Sequence, residues 1–160
     1  MNIFRLDNDP IVCARNHCDR HVVKMPLEYL DILKGLDHPL GRWAWECWEN
    51  FDWLKLMAEE VCREFFYRYR QLHWCAKDLA ILSAPQLLPF NGHCTEQPFI
   101  NEGVEVITNS VIENYRDIYR GPKRHLCTWS HRLPPVWFSP ERKEGFLGTD
   151  KLFEELTNVR

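Results

Sequence analysis

Apolar side chains recur at three- and four-residue steps along much of the chain, which is the spacing of one face of an α-helix. The clearest run extends from Trp43 to about Gln71, with apolar positions at Phe51, Leu54, Ala58, Val61, Phe65 and Tyr69. An earlier run opens at Asp9-Pro10, an N-cap followed by proline at the first helical position, and extends toward Gly35. Pro26 lies inside that run and predicts a kink or break, because proline lacks the N–H that bonds to the preceding turn.

Shorter elements are predicted in the second half of the chain. A helix is expected at about 74–83 and another at about 104–119, the latter ended by Gly121-Pro122. The prolines and glycines of residues 84–103 indicate an ordered loop between them. An irregular aromatic and basic stretch follows through Phe138, and a short terminal helix is expected at 149–157. The pattern predicts an all-α fold, a single compact helical domain over residues 1–160 with a long second helix.

Length and composition agree with one ordinary globular domain. The chain has 160 residues, of which 45% are hydrophobic, and it includes seven Trp, nine Phe and five Tyr. Its seven cysteines are odd in number and scattered, which is typical of reduced core thiols in a reducing compartment. Neither a secretory leader nor an apolar run of about eighteen residues is visible, so we expect no membrane span and a cytoplasmic location.

Four ionisable side chains near the start of the chain are spaced by four, three and four positions: His17, His21, Lys24 and Glu28. On one continuous helix this spacing projects all four from the same face. Such a stripe suits acid/base chemistry or anion binding, because histidine titrates near neutrality, lysine is cationic, and glutamate can act as a base or stabilise a developing cation. The alternative is a solvated face, since amphipathic helices normally carry a polar stripe toward water.

The same residues could instead form a metal site. His17 and His21 stand at i,i+4, a spacing that can bind zinc. Glu28 or Cys13 could supply a third ligand. Lys24 lies between them and would repel a cation, and the sequence has no Cys-x2-Cys pair. We therefore predict neither a metal site nor a cofactor.

A basic and aromatic segment, residues 116–132, stands out against the rest of the chain. It carries five Lys and Arg residues against one Asp, a local formal charge of +4, whereas the whole chain has −3. The candidate substrate contacts in it are Arg120, Lys123, Arg124, His125 and Trp129. Cations pair with phosphates and flat rings stack on bases, so the segment predicts a surface for nucleic acid or a nucleotide. The alternative is a solvated loop whose tryptophans fill the core.

The sequence DRHVVKMPLE, from Asp19 to Glu28, resembles the first-helix motif of the phage pyrimidine-dimer DNA glycosylases of the endonuclease V type. In that family a histidine is followed seven residues later by the catalytic glutamate, and His21 and Glu28 keep this spacing. The segment 50–69 is similar to the family's long second helix, and the aromatic C-terminal stretch is similar in character. The HVVKMPLE run is also similar to a set of uncharacterised phage proteins.

The resemblance implies an all-helical domain that recognises damaged DNA, displaces a base and cleaves the glycosidic bond. Glu28 would stabilise the cationic sugar in the transition state, and His21 would orient the substrate or bind a phosphate. Base displacement is required because the reacting bond is inaccessible inside a stacked duplex. His17, Arg20 and Lys24 would be further substrate-binding residues.

Two features of the chain depart from that family. The family uses the α-amine of a small residue exposed by removal of the initiator methionine, and this amine attacks the sugar. Residue 2 here is Asn2, which is bulky for methionine removal, so a strand-cleaving lyase step is not expected. The net charge of −3 favours a smaller or single-stranded substrate, or binding confined to the segment 116–132.

The leading prediction is an N-glycosylase-like protein that acts on DNA or on a nucleotide, located in the host cytoplasm if it is phage-encoded. The alternative is a non-catalytic phage protein that uses Lys24, His21 and the segment 116–132 to sequester a signalling nucleotide. A third reading is an enzyme that modifies phage DNA bases. The sequence leaves open whether the protein is an enzyme.

Overall fold

The computed structural model describes residues 1–101 and 108–138, and within these ranges the chain is helical with no β-strand. The α-helices are α1 (Pro10–Asn16), α2 (Asp19–Leu33), α3 (Pro39–Ala44), α4 (Trp48–Tyr69), α5 (Ala76–Ile81) and α6 (Val111–Arg120). Two 3₁₀ helices, Arg124–Leu126 and Val136–Phe138, interrupt the irregular C-terminal stretch. The all-α prediction is confirmed. The predicted terminal helix at 149–157 lies outside the described residues.

The first predicted helix is divided, and the division is not where the sequence suggested. Asp9 caps α1 as expected, accepting hydrogen bonds from the backbone N–H groups of Ile11 and Val12. The chain then leaves the helix at His17, whose ψ of 133° is extended, and α2 begins two residues later. At this break the His17 Nδ1 lies 2.8 Å from the Cys13 carbonyl oxygen, so the imidazole takes a place that a backbone N–H would fill in a continuing helix. The predicted break at Pro26 is wrong, because α2 continues through it.

The long predicted helix over 43–71 is also divided. Trp43 belongs to α3, which is separated from α4 by a turn at residues 45–47. The longest helix is therefore the fourth in the chain and not the second. It packs against α1 and α2, and its predicted apolar face is buried. Arg70, with a φ of +56°, ends it in the left-handed conformation.

Residues 2–6 precede the first helix and form a largely buried segment, which the helical periodicity did not predict. Ile3, Phe4 and Leu6 belong to the core. Gln97 Nε2 donates to the Ile3 carbonyl at 2.9 Å, and Arg116 Nε donates to the Leu6 carbonyl at 3.0 Å. These two bonds satisfy backbone groups that a helix would satisfy internally, and they tie the segment to the loop before α6 and to α6 itself.

The remaining predicted boundaries are partly correct. The helix expected at 74–83 is the shorter α5, and residues 84–101 contain no helix, as expected for that part of the loop. The helix expected at 104–119 is wrong at its start, because Ser110 caps α6 through its hydroxyl, which accepts from the Glu113 N–H. Residues 102–107 are not described. None of the described helices is long and apolar enough to cross a membrane.

A buried ion cluster holds the C-terminal segment against the helices. The Arg68 side chain is fully buried and pairs with Asp19 at 3.0 Å and with Glu64 at 3.3 Å. Arg132 pairs with the same Glu64 at 2.5 Å. Asp19 also accepts from the Ser130 backbone N–H at 2.9 Å. Residues 128–132 are therefore fixed on α2 and α4 by ion pairs and hydrogen bonds that are largely removed from water.

Candidate active site

Glu28 lies on α2 where the N-terminal segment crosses it, and its carboxylate is held by two donors. Oε2 accepts the Asn2 backbone N–H at 3.0 Å, and Oε1 lies 2.8 Å from the Lys24 ammonium. The Glu28 side chain is 14% exposed, whereas that of Lys24 is 67% exposed. The buried Asn2 N–H orients the Glu28 carboxylate on one side, and the solvent-facing Lys24 ammonium orients it on the other. The carboxylate is thus fixed in position, and the edge beside Lys24 remains accessible to solvent.

His21 lies one helical turn before Lys24, and it is 7% exposed. Its Nδ1 lies 2.5 Å from the Tyr119 hydroxyl of α6, and its ring packs on Phe4 with centroids 4.2 Å apart. Burial lowers the pKa of His21 well below its usual value, and the positive charges of Lys123, Lys24 and Arg20 lower it further. The ring is neutral at neutral pH. The expectation that it titrates near neutrality is therefore wrong.

His17 does not belong to the α2 face, which corrects the predicted stripe of four residues. It lies in the break between α1 and α2 and is fully buried. Its Nε2 lies 2.6 Å from the Tyr29 hydroxyl, and burial lowers the pKa of the imidazole to about 4. Its ring centroid is 6.3 Å from that of His21. His17 is a hydrogen-bonded core residue that supports His21, and it cannot touch a substrate from this position.

The surface beside Glu28 is cationic on the α2 side. Lys24 and Arg20 are exposed on the helix, and both raise the local positive potential, as their effect on His21 shows. Lys123 reaches the same region from the other end of the chain, with its ammonium 5.5 Å from the Phe4 ring centroid. The tertiary structure thus brings Lys123 toward Phe4 and His21.

Other members of the basic segment 116–132 are engaged elsewhere. Arg120 pairs with Glu113 and Asp117, and Arg132 pairs with Glu64, so acids from the segment and from outside it offset much of its charge. Burial by itself lowers the pKa of Arg120, but hydrogen bonds to the Asp117 and Glu113 carboxylates outweigh it, so the pKa is raised. The predicted surface with an unpaired charge of +4 is therefore wrong at Arg120 and Arg132. The guanidinium of Arg120 serves to hold α6 together through its ion pairs with Glu113 and Asp117.

The remaining predicted contacts divide between surface and core. Arg124 and His125 are exposed, and the Arg124 guanidinium lies 5.0 Å over the Phe138 ring. Trp129 is 8% exposed, donates from Nε1 to the Asn16 carbonyl at 3.1 Å and packs on Phe138. The prediction that Trp129 forms a stacking platform is therefore wrong, and it fills the core as the alternative held.

Two residues that sequence reasoning missed hold Glu28 and His21 in place. Asn2 is buried; besides its bond to Glu28, its side-chain oxygen accepts from the Tyr115 hydroxyl at 2.5 Å. Tyr119 holds the His21 ring, and burial raises the pKa of its hydroxyl so that it keeps its proton. The apolar residues 3, 4 and 6 before the α1 cap were the one available signal that this segment is buried.

All seven cysteines are free, as predicted, and Cys18 lies at the N-cap of α2 beside this region. A hydrogen bond with Cys127 is the main cause of a lowered pKa at Cys18. Within residues 1–101 and 108–138, no three His, Cys, Asp or Glu side chains are grouped to hold a metal ion.

Comparison with known proteins leaves the resemblance as a prediction. No family model matches the chain, and neither does any curated protein or solved structure. The function of the protein is therefore inferred from the geometry around Glu28.

Proposed function

We propose that the protein is an N-glycosylase-like enzyme that acts on DNA or on a nucleotide, with Glu28 as the group that promotes cleavage of the glycosidic bond. The observation that carries the proposal is the position of the Glu28 carboxylate, held 3.0 Å from the Asn2 nitrogen and 2.8 Å from the Lys24 nitrogen at the edge of a cationic surface. Loss of a base leaves positive charge on the sugar, and a fixed carboxylate beside that charge stabilises the transition state.

The surrounding residues support distinct roles in this reaction. Lys24, Arg20 and Lys123 supply cations that can attract the phosphates flanking the scissile nucleoside. His21 acts as a positioning residue: its neutral ring packs between Phe4 and Tyr119 and joins α6 to the α2 turn that precedes Glu28. The Asn2 N–H keeps the carboxylate in one orientation, so little reorganisation is needed when the sugar becomes cationic.

A base-release assay tests the proposal. The protein is incubated with pyrimidine-dimer DNA, undamaged DNA and a nucleotide pool, and released base is measured by mass spectrometry. The dimer DNA is first photoreversed, because the cyclobutane ring keeps a cleaved base attached to the neighbouring pyrimidine. We expect Glu28→Gln to lower the release rate by about 100-fold or more while binding changes little, because the charge acts chiefly in the transition state. The matched control is Glu59→Gln, which also removes one carboxylate of an i,i+4 pair with lysine, Lys55–Glu59. Equal rates for the two variants would contradict the role of Glu28.

A non-catalytic nucleotide binder is the second candidate, and the burial of His21 favours it. The neutral His21 ring, which is 7% exposed, cannot donate a proton to a leaving base. Of the predicted catalytic pair His21 and Glu28, only Glu28 could then take part in the reaction. A binder would release no base from any of the three substrates. Native mass spectrometry would then detect an unaltered nucleotide, and Lys24→Met would weaken its binding.

A further inference from the structure

Two cysteines from distant parts of the chain, Cys18 and Cys127, lie against each other at the start of α2. The residues beside them bind across the same junction. The Asp19 N–H donates to the Thr128 carbonyl at 2.8 Å, and the Ser130 N–H donates to the Asp19 carboxylate at 2.9 Å. The Cys127 thiol is hydrogen-bonded to the Cys18 sulfur. These bonds hold the two sulfurs in contact, and a disulfide requires them to approach to about 2 Å.

The Cys18 sulfur is surrounded by donors that stabilise its thiolate. Besides the Cys127 thiol, the backbone N–H groups of Arg20 and His21 and the Tyr119 hydroxyl bond to it. The Cys127 bond is the largest of these effects, and together they lower the pKa of Cys18 to about 7 although burial opposes them. Near neutral pH the pair therefore gives up one proton, and the remaining proton is shared by the two sulfurs.

The two thiols differ in their access to solvent, and this decides where an oxidant enters. Cys18 is 1% exposed, whereas Cys127 is half-buried and has exposed neighbours at residues 124, 125 and 128. A small oxidant such as a peroxide therefore reaches Cys127 first. The buried Cys18 meets only the oxidised Cys127 sulfur, which is the position of a thiol that resolves an oxidised partner.

We propose that Cys18 and Cys127 form a site of reversible oxidation, at which a peroxide converts the hydrogen-bonded pair into a disulfide between the N-cap of α2 and the segment 116–132. With the shared proton on Cys18, the Cys127 thiolate attacks a peroxide oxygen and becomes a sulfenic acid, and hydroxide leaves. This hydroxide removes the proton from Cys18. The Cys18 thiolate then attacks the Cys127 sulfur and displaces a second hydroxide, which is protonated to water. In all, the two thiols lose two protons and two electrons, and the peroxide is reduced to two molecules of water.

A second pair of cysteines provides the comparison. Cys62 and Cys75 are both buried, and they are near enough for the charge of one to act on the other. Burial raises the pKa of Cys62 to about 12, and it also raises the pKa of Cys75. Both thiols therefore keep their protons at neutral pH. We expect them to react far more slowly with peroxide, because the thiolate is the nucleophile.

Peptide mapping of the unmodified protein tests the proposal. The reduced protein is treated with an equimolar amount of hydrogen peroxide at about pH 8, where Cys18 has lost its proton, and the remaining thiols are then alkylated. A tryptic digest is analysed by mass spectrometry without reduction. Trypsin places the four cysteines of the two pairs in separate peptides, which are 16–20, 125–132, 56–63 and 71–77.

We expect the link between peptides 16–20 and 125–132 to exceed any other link by at least about tenfold, and dithiothreitol to reverse it. Equal amounts of the link between 56–63 and 71–77 overturn the proposal. An oxidised Cys127 found together with an alkylated Cys18 also overturns it. The measurement requires no substrate, so its outcome does not depend on whether the protein releases a base.

A variant pair tests the entry through Cys127. Cys127→Ser removes that thiol, and Cys94→Ser is the matched control, because Cys94 is also a half-buried thiol that lies 3.3 Å from a backbone carbonyl oxygen. Free thiols are counted after quenching in denaturant. We expect the wild type and Cys94→Ser to lose thiols to peroxide at the same rate, and Cys127→Ser to lose them at least about tenfold more slowly. Equal rates for the two variants overturn the assignment of Cys127.

Discussion

Acid should destabilise this protein through His17. The ring is fully buried, and burial lowers its pKa from 6.5 to about 4. Between these two pH values the unfolded chain binds a proton that the folded chain does not bind. The folded state is therefore penalised as the pH falls from 6.5 toward 4, and above 6.5 the penalty vanishes.

The size of the effect follows from the two pKa values. Linkage gives a loss of about 2 kcal/mol at pH 5 and about 3 kcal/mol at pH 4 from this residue alone. His17→Gln cannot titrate, so its stability lacks this component, although losing the bonds to Tyr29 and Cys13 destabilises it at every pH. The stability difference between the wild type and His17→Gln should thus shrink by about 2 kcal/mol from about pH 7.5 to about pH 5.

Urea unfolding followed by tryptophan fluorescence measures this difference at each pH. His21 is present in both proteins, so its own titration largely cancels. His93 is exposed, and His93→Gln is the control that should show no such narrowing. A wild-type-to-His17→Gln difference that stays constant within about 0.5 kcal/mol would refute the reasoning, because the buried ring could then not be the group that excludes the proton.

Three further outcomes are expected. Arg68→Met should lower the free energy of unfolding by about 2 kcal/mol or more in urea titrations, because Asp19 loses its arginine partner and Glu64 keeps Arg132 alone; a loss below about 1 kcal/mol would contradict this. Binding to long DNA should show a log–log salt slope of about 3 or less in fluorescence anisotropy, since Arg120 and Arg132 already have partners, and a slope near 5 would show that they are released. Borohydride should trap no covalent adduct with abasic DNA, because the nitrogen beside Glu28 is the peptide amide of Asn2; an adduct formed by the chain that retains Met1 would contradict this.

Local patterns determined much of the helical content by themselves. The Asp9-Pro10 cap, the apolar face of α4 and the stop after Arg120 depend on interactions within a few residues, and a periodic sequence reports such interactions directly. The pairing of Lys24 with Glu28 is of the same kind, since four positions on one helix face are always neighbours. The prediction of one continuous helix through His17 failed for a reason that is also local. The helix ends there because the imidazole bonds to the Cys13 carbonyl, and the spacing of apolar residues carries no information about that bond.

Only the tertiary structure decided the chemistry of the candidate site. The neutrality of His21 comes from Tyr119 and Phe4, which are 98 residues after it and 17 before it in the chain. The loss of open charge at Arg132 comes from Glu64, and the orientation of Glu28 comes from the backbone of Asn2. Each of these contacts joins distant parts of the chain and shields a side chain from water. The free energy of a charged or polar group depends more on this loss of hydration than on the residues next to it in the sequence.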